Sequence, residues 1–234
     1  MKQILTVSGK PLSDFSTFYD GSEWWRVPQK DVQFITIPGR SGDLTIDGNR
    51  FMNISIPFNC YIHKDFGRNF SDLVNYLSSL TGYQRIESNE EPDVFRMGHI
   101  VADIQPNMGQ FNRRGTFTIE INFEPQKWLK SGEMPIEVNN SITLHNPTMK
   151  KALPKLFVTG TGTVRINNST ITVNQNTGVL VIDCESGNAY EGTINRNNDV
   201  EYSNNEIPSL NPGDNGIDFT GVTSLSVVPR WWKI

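Results

Sequence analysis

Residues 116–123 read Thr-Phe-Thr-Ile-Glu-Ile-Asn-Phe, with every second side chain apolar. Phe117, Ile119, Ile121 and Phe123 therefore fall on one face of an extended strand, and Thr116, Thr118, Glu120 and Asn122 on the other. One such row is buried, and the other is wet or covered by a neighbour. The same period of two recurs between turn signals along most of the chain. Ile4–Val7 is a short opening strand. Val32–Ile37 alternates and is stopped by Pro38-Gly39. Asp43–Ile46 leads into Asp47-Gly48-Asn49, residue types that tolerate positive φ in tight turns, and Phe51–Ile56 returns. Residues 43–58 are therefore expected to form a hairpin. Strands resume at Tyr83–Glu87 and Phe95–Ile104.

One segment departs from this period. Over 66–80, apolar residues stand at Phe66, Phe70, Leu73, Val74, Leu77 and Leu80, three and four apart as on one helix face. Ser71 and Asp72 fall early in it, and Thr81-Gly82 provides the stop. The spacing predicts a helix over 66–80 that packs its apolar stripe on a sheet.

The polar stretch from Pro125 to Glu133 ends at Met134-Pro135, which places a domain boundary at about 132–136. Domains are expected at 1–134 and 135–234. Beyond residue 135 the texture changes: fifteen of 99 residues are Asn, against nine in the first 135, and no helical period is visible. Eight short runs recur instead: Ile136–Leu144, Lys155–Thr159, Thr163–Asn167, Thr170–Asn174, Val179–Cys184, Thr193–Ile194, Gly216–Thr220 and Leu225–Arg230. Strands spaced at roughly ten residues between Asn- and Gly-rich turns point to an antiparallel sandwich.

Composition narrows the function classes. Lys+Arg 21 against Asp+Glu 25 gives a net charge of −4, which argues against a nucleic-acid-binding surface that works by phosphate neutralisation, since that needs clustered excess Lys and Arg. The apolar share is modest at 36%, yet 10% aromatics is too rich for disorder. No stretch reaches the roughly 20 apolar residues of a membrane span, and Met1–Ser8 lacks the apolar core of a signal peptide, so no membrane role and synthesis in a cytosol are expected.

Chemistry-bearing motifs are sparse. Cys60 and Cys184 both sit in apolar alternating runs and read as buried free thiols. His63, His99 and His145 form no metal-ligand spacing, and no CxxC is present, so no metal or other cofactor is expected. Gly39 and Gly42 lack the Lys and helix that a phosphate loop needs. Glu90, Glu91, Asp103, Glu120 and Glu124 would serve a glycosidase only if two of them met in a cleft. The chain is not expected to be an enzyme. His145-Asn146-Pro147 suggests a sugar-binding strand but lacks the Arg and the Trp-Glu-Arg signature that would complete one, and it reads as a turn. Trp24-Trp25 and Trp231-Trp232 stand out. In a strand, adjacent residues face opposite ways, so one of each pair is expected in the core, with Trp232 capping the second sandwich.

The joint order of certain segments carries a resemblance. They are Phe34–Leu44 (Phe-Ile-Thr-Ile-Pro-Gly-Arg-Ser-Gly-Asp-Leu), Asp47–Phe51, Tyr76-Leu77 to Gly82-Tyr83, Phe95–Gly98, Gly115–Phe117 and Pro125–Trp128. In the second half they are Asn146-Pro147, Gly160–Gly162, Ile182–Cys184, Pro208–Gly213 with Asn215, and Pro229–Trp232. In this order over nearly the whole chain, the sequence resembles the distal tail proteins of long-tailed phages that infect Gram-positive bacteria.

That resemblance implies a mainly β fold: an N-terminal ring-forming β-sandwich with one α-helix and an extended hairpin arm, then a C-terminal galectin-like antiparallel β-sandwich. It implies a homo-hexameric ring around the channel through which DNA leaves, in the virion at the tail tip. The ring would join the tail tube protein to the tail-associated fibre or lysin protein, and in some relatives it docks receptor-binding or baseplate proteins. The arm would place Pro38, Gly39, Arg40, Ser41, Gly42, Asp43, Leu44, Asp47, Gly48 and Asn49 at the subunit interface. Head-to-tail contacts close rings, and augmenting a neighbour's sheet satisfies free strand edges. Near-neutral charge suits a channel that lets DNA slide without specific binding. The alternative is a carbohydrate-binding module for host cell-wall sugars. At 234 residues the chain has no room for the inserted sugar-binding module of longer relatives.

Overall fold

The computed structural model describes residues 2–101, 104–109, 112–203 and 206–234. The chain divides into two compact units, Met1–Lys127 with Ile234, and Trp128–Lys233.

The first unit holds β1 (Leu5–Val7), β2 (Lys10–Pro11), β3 (Thr17–Tyr19), β4 (Lys30–Ile35), β5 (Leu44–Phe51), β6 (Ile54–Ile62), α1 (Phe66–Ser79), β7 (Gln84–Ser88), β8 (Val94–Val101), β9 (Asn107–Gly109) and most of β10 (Arg114–Leu129). All of these strands except β4 and β5 belong to one sheet, ordered β2-β1-β7-β8-β10-β6-β3 with β9 also on β10. An antiparallel bridge joins Gln3, just ahead of β1, to Tyr19 of the edge strand β3. The alternation in β10 is realised. Phe117, Ile119, Ile121 and Phe123 are buried, and they stand opposite Cys60, Phe58, Ile56 and Ile54 of β6. Burying each large side chain stabilises the fold by roughly 1.5–3 kcal/mol.

Helix α1 occupies the expected segment and buries Phe66, Leu73 and Leu77. Phe66 rests on β10, where a Cβ added at Gly115 would come within 2.4 Å of its ring. Phe66 and Phe70 both meet Phe117 edge-on, at 6.3 and 5.1 Å between ring centroids. The helix stops where Leu80 turns extended and Gly82 takes φ +71°.

The expected turn at Asp47-Gly48-Asn49 does not reverse the chain. β5 runs straight through it, so the hairpin consists of β4 and β5, and residues 43–58 are not one hairpin. Lys30 pairs with Phe51, and Val32 pairs with Asp47. One residue of β4, Asp31, therefore faces three of β5, Gly48, Asn49 and Arg50, which form a bulge. Asn49 takes its left-handed φ of +54° there, with its N–H donating to Asp47 Oδ1 at 2.8 Å. Gly48 leaves room for Asp31, whose carboxylate would lie 2.8 Å from an added Cβ. The turn chemistry was legible, but its use as a bulge depends on the partner strand.

The second unit is a sandwich of two antiparallel sheets. Its strands are β11 (Ile136–Val138), β12 (Ser141–Asn146), β13 (Lys155–Thr159), β14 (Gly162–Ile166), β15 (Ser169–Val173), β16 (Val179–Asp183), β17 (Asn188–Glu191), β18 (Ile194–Asn195), β19 (Val200–Tyr202), β20 (Gly213–Thr220), β21 (Ser224–Val228) and β22 (Trp232–Lys233). One sheet is ordered β11-β21-β13-β16-β17-β18 and the other β12-β20-β14-β15-β19. Leu156, Val158, Ile182, Val164, Ile171 and Ile217 are among the buried core residues that these sheets supply. The run expected over Ile136–Leu144 is broken at Asn140, which takes φ +67°. β17 and β19 were not expected, because each is short and flanked by Asn-rich turns. β22 pairs with the end of β10, where Leu129 N donates to Trp231 O at 2.8 Å.

Two buried asparagines staple the loops of this unit. Asn215 Nδ2 donates to the carbonyls of Asn211 and Gly213, both at 2.8 Å, and its Oδ1 accepts from Asn211 N. Asn146 ends β12, donates to Lys150 O and accepts from Thr148 N, which makes Asn146-Pro147 the expected turn.

Candidate assembly surface

The β4–β5 ribbon is the feature that the rest of the first unit does not explain. Among the described residues it pairs with no third strand. In its register Ile35 faces Leu44 and Gln33 faces Ile46, so Ile35, Leu44 and Ile46 share one face. Phe34, opposite Thr45, lies on the other face. All four are exposed, Phe34 at 68%. A two-stranded ribbon with apolar side chains bare on both faces is marginal in water by itself.

The structure places the ten residues singled out above in two groups on this ribbon. Pro38 to Asp43 form its tip and Leu44 begins β5, while Asp47 pairs with Val32 at the edge of the bulge and Gly48 and Asn49 lie in it. The tip closes through Arg40 N to Ile37 O at 3.2 Å and Thr36 Oγ1 to Asp43 Oδ1 at 2.9 Å. Gly39 and Gly42 take φ +80° and +84°. The bulge is braced by Arg50 Nε on Asp31 Oδ2 at 2.7 Å. All ten are exposed. The apolar residues between the groups, Phe34, Ile35 and Ile46, carry the exposed surface. Period two marked them as strand residues, but nothing local showed that their strand leaves the sheet.

The outer edge of β6 contrasts with the ribbon. β3 covers only Cys60 to Ile62, and Asn59 O accepts from Asp20 N on that same side. By alternation Pro57, which has no N–H, turns its nitrogen to the uncovered edge, so that edge cannot complete a strand ladder. Sheet growth is blocked here and left open on the ribbon.

Three of the carboxylates weighed for catalysis, Glu90, Glu91 and Glu120, are engaged in the fold. Glu91 Oε2 accepts from Trp24 Nε1 at 3.0 Å and from Lys127 Nζ at 2.9 Å. Glu90 accepts from Gln3 Nε2 at 2.8 Å and from the Tyr19 hydroxyl. Burial, with Glu90 beside it, pushes the Tyr19 phenol well above its ordinary range. Glu120 accepts from Ser55 Oγ at 2.5 Å, and Asp103 lies outside the described residues. Burial raises both thiols, Cys184 to about 12, and both are free. Among the described residues no cluster of metal-ligating side chains occurs, and no helix is long and apolar enough to cross a membrane.

The tryptophan pairs split as expected, one in and one out, but by a different geometry in the first case. Trp24 and Trp25 lie on a 3-10 turn, Glu23–Trp25, rather than a strand. Trp24 is fully buried edge-on to Phe123, whereas Trp25 is 49% exposed. Trp231 is buried, and Trp232 packs on the second core with its Nε1 donating to Lys151 O at 2.8 Å.

The fold is similar to that of the phage SPP1 Dit protein. That crystal structure is described as a paradigm of the hub adsorption apparatus in phages infecting Gram-positive bacteria, and the likeness covers 100% of each chain at TM-score 0.75 and 13% identity. A chain of the phage P2 baseplate in its activated conformation with Ca is also similar, at TM-score 0.52 and 12% identity over 97% of each chain. The same baseplate with Sr gives TM-score 0.51 at 12% identity, over 97% of this chain and 96% of that one. No protein-family model and no curated protein sequence matches the chain. At 12–13% identity the likeness shows a shared fold alone.

Proposed function

We propose that this protein is a structural hub of a phage tail tip, a distal tail protein that assembles as a hexameric ring around the DNA channel. The observation that carries the reading is the β4–β5 ribbon, which among the described residues pairs with no third strand and leaves Phe34, Ile35, Leu44 and Ile46 exposed. Such a surface is satisfied by a second copy of the chain, and a head-to-tail contact repeated around an axis closes a ring. The likeness to the SPP1 Dit protein over the whole of both chains supports the choice of hub. In this reading the ring joins the tail tube to the fibre or lysin protein, offers its second unit to receptor-binding proteins, and resides in the virion. DNA passes through the ring without being specifically bound, and the ring holds no cofactor and catalyses nothing.

Native mass spectrometry with negative-stain imaging of the full chain tests this. A six-fold ring that is lost in Phe34→Asp/Ile46→Asp, with the far-ultraviolet dichroism unchanged, is the expected result. A ring that persists in that variant removes the ribbon from the interface. A chain that stays monomeric at high concentration, alone and with tail-tube protein, removes the hub reading.

A further inference from the structure

An open hollow of about 280 Å³ lies where the turn between β6 and α1 meets the start of β10, lined by His63, Lys64, Asp65, Arg113 and Arg114. An adjoining hollow of about 370 Å³ shares His63 and Arg114 and adds Tyr61, Asn107 and Thr116. Lys64, Arg113 and Arg114 are exposed, and among the described residues none of them is in an ion pair. Among the described residues Asp65 is the one carboxylate lining the first hollow, so there three cations stand against one anion in a chain whose net charge is −4.

Further positive potential converges here. Lys2 Nζ lies 4.4 Å from the centre of the Phe18 ring, and Phe18 packs against His63 at 5.4 Å. Burial lowers the His63 pKa, and the charges of Lys2 and Arg114 lower it further, so both cations act on that ring. The 14-residue helix α1 begins at the same point, with Asp65 as an N-cap in the left-handed region that supplies no side-chain cap. A helix N-terminus favours anions. Mutual repulsion among clustered cations is relieved by a bound anion. Guanidinium groups match phosphate oxygens in paired hydrogen bonds, and the aromatic face of Tyr61 adjoins them, 4.9 Å from His63.

We propose that this hollow binds the phosphate of a phosphodiester chain, with Lys64, Arg113 and Arg114 holding its oxygens. This rests on the local charge and geometry and stands apart from the ring reading.

The test uses the full chain, a fluorescent ten-residue oligothymidylate and inorganic phosphate. Oligothymidylate is expected to bind by anisotropy and to raise the His63 titration midpoint seen by imidazole NMR. Lys64→Gln/Arg113→Gln/Arg114→Gln is expected to weaken binding about tenfold and to reduce the log–log salt slope by about 2, at ~0.7 per phosphate on a single strand. Arg113→Lys/Arg114→Lys should keep the salt slope and lose affinity. Competition by millimolar inorganic phosphate assigns the site to isolated phosphate groups, and its failure to compete assigns it to the polymer backbone. Either result supports phosphate recognition. An unmoved His63 midpoint, equal binding by the folded triple variant, or tighter binding of a poly-glutamate peptide overturns it.

Discussion

Arg230 and Asp183 form a forked ion pair, with Nη1 on Oδ1 at 2.7 Å and Nη2 on Oδ2 at 2.9 Å. Burial alone would raise the Asp183 pKa, but the Arg230 hydrogen bonds and charge, the Glu185 N–H and Lys155 outweigh it and hold it at about 2. A carboxylate depressed in the folded state contributes stability that is present above its unfolded value of about 3.9 and lost as pH falls toward the folded value. The second unit is therefore expected to lose on the order of 2 kcal/mol between pH 4 and 2. Arg230→Gln should flatten that pH dependence, read from urea midpoints across the window. A variant as acid-sensitive as the wild type would show that the pair is not the cause.

Arg96 is fully buried, and among the described residues none of its three guanidinium nitrogens has a hydrogen-bond partner. It lies over the rings of Phe123 at 4.7 Å and Trp24 at 5.8 Å. Burial lowers its pKa to about 10, against the pull of Glu91, so the charge is retained at neutral pH at a desolvation cost. Arg96→Met keeps the volume and removes the charge. It is expected to leave stability unchanged or raise it by about 1–2 kcal/mol in urea unfolding. A loss above about 1 kcal/mol would mean that the cation–ring contacts outweigh the desolvation.

Gly115 sits beneath the Phe66 ring, where a Cβ would come within 2.4 Å. The helix cannot yield easily, because Phe66 also stacks on Phe70 at 5.2 Å. Gly115→Ala is expected to destabilise the first unit by roughly 1–3 kcal/mol. Thermal melts following helix dichroism would measure this, and a melt shifted by less than a degree would show that the ring moves freely.

Gly162 takes φ +149°, and a Cβ there would meet Thr220 O at 2.2 Å. That neighbour is backbone of β20, which has no rotamer to change. Gly162→Ala is expected to cost more than about 2 kcal/mol and to act on the second unit alone. Hydrogen exchange would show protection lost in β14 and β20 and kept in β6 and β10, whereas uniform loss would indicate that the two units unfold together.

Much of the fold is legible locally. The period of two marked β6, β10 and most second-unit strands, and the three-four spacing from Phe66 marked α1. In each case the buried row of a regular element repeats at the element's own period. Short strands such as β17 and β19 escaped, because three or four residues between Asn-rich turns carry no measurable period. Asp47-Gly48-Asn49 was recognised as positive-φ chemistry but misassigned to a chain reversal. The same residues serve a turn or a bulge, and the opposite strand decides which. The paired carboxylates were visible as charges, but that Glu91 is spent on Trp24 and Lys127 depends on residues 36 to 67 positions away.

The sequence by itself determined the class of elements, their faces and their punctuation, because these follow from backbone geometry and the alternation of apolar side chains. Only the tertiary structure decided which strand departs from its sheet. Phe34, Ile35 and Ile46 alternate like core residues, yet they are exposed because no described strand joins β4 and β5. It also gathered Lys64, Arg113 and Arg114 into one hollow from distant positions of a chain with balanced charge. Which hydrogen-bonding edges pair, and which charges become neighbours, is fixed by long-range contacts that no local window contains.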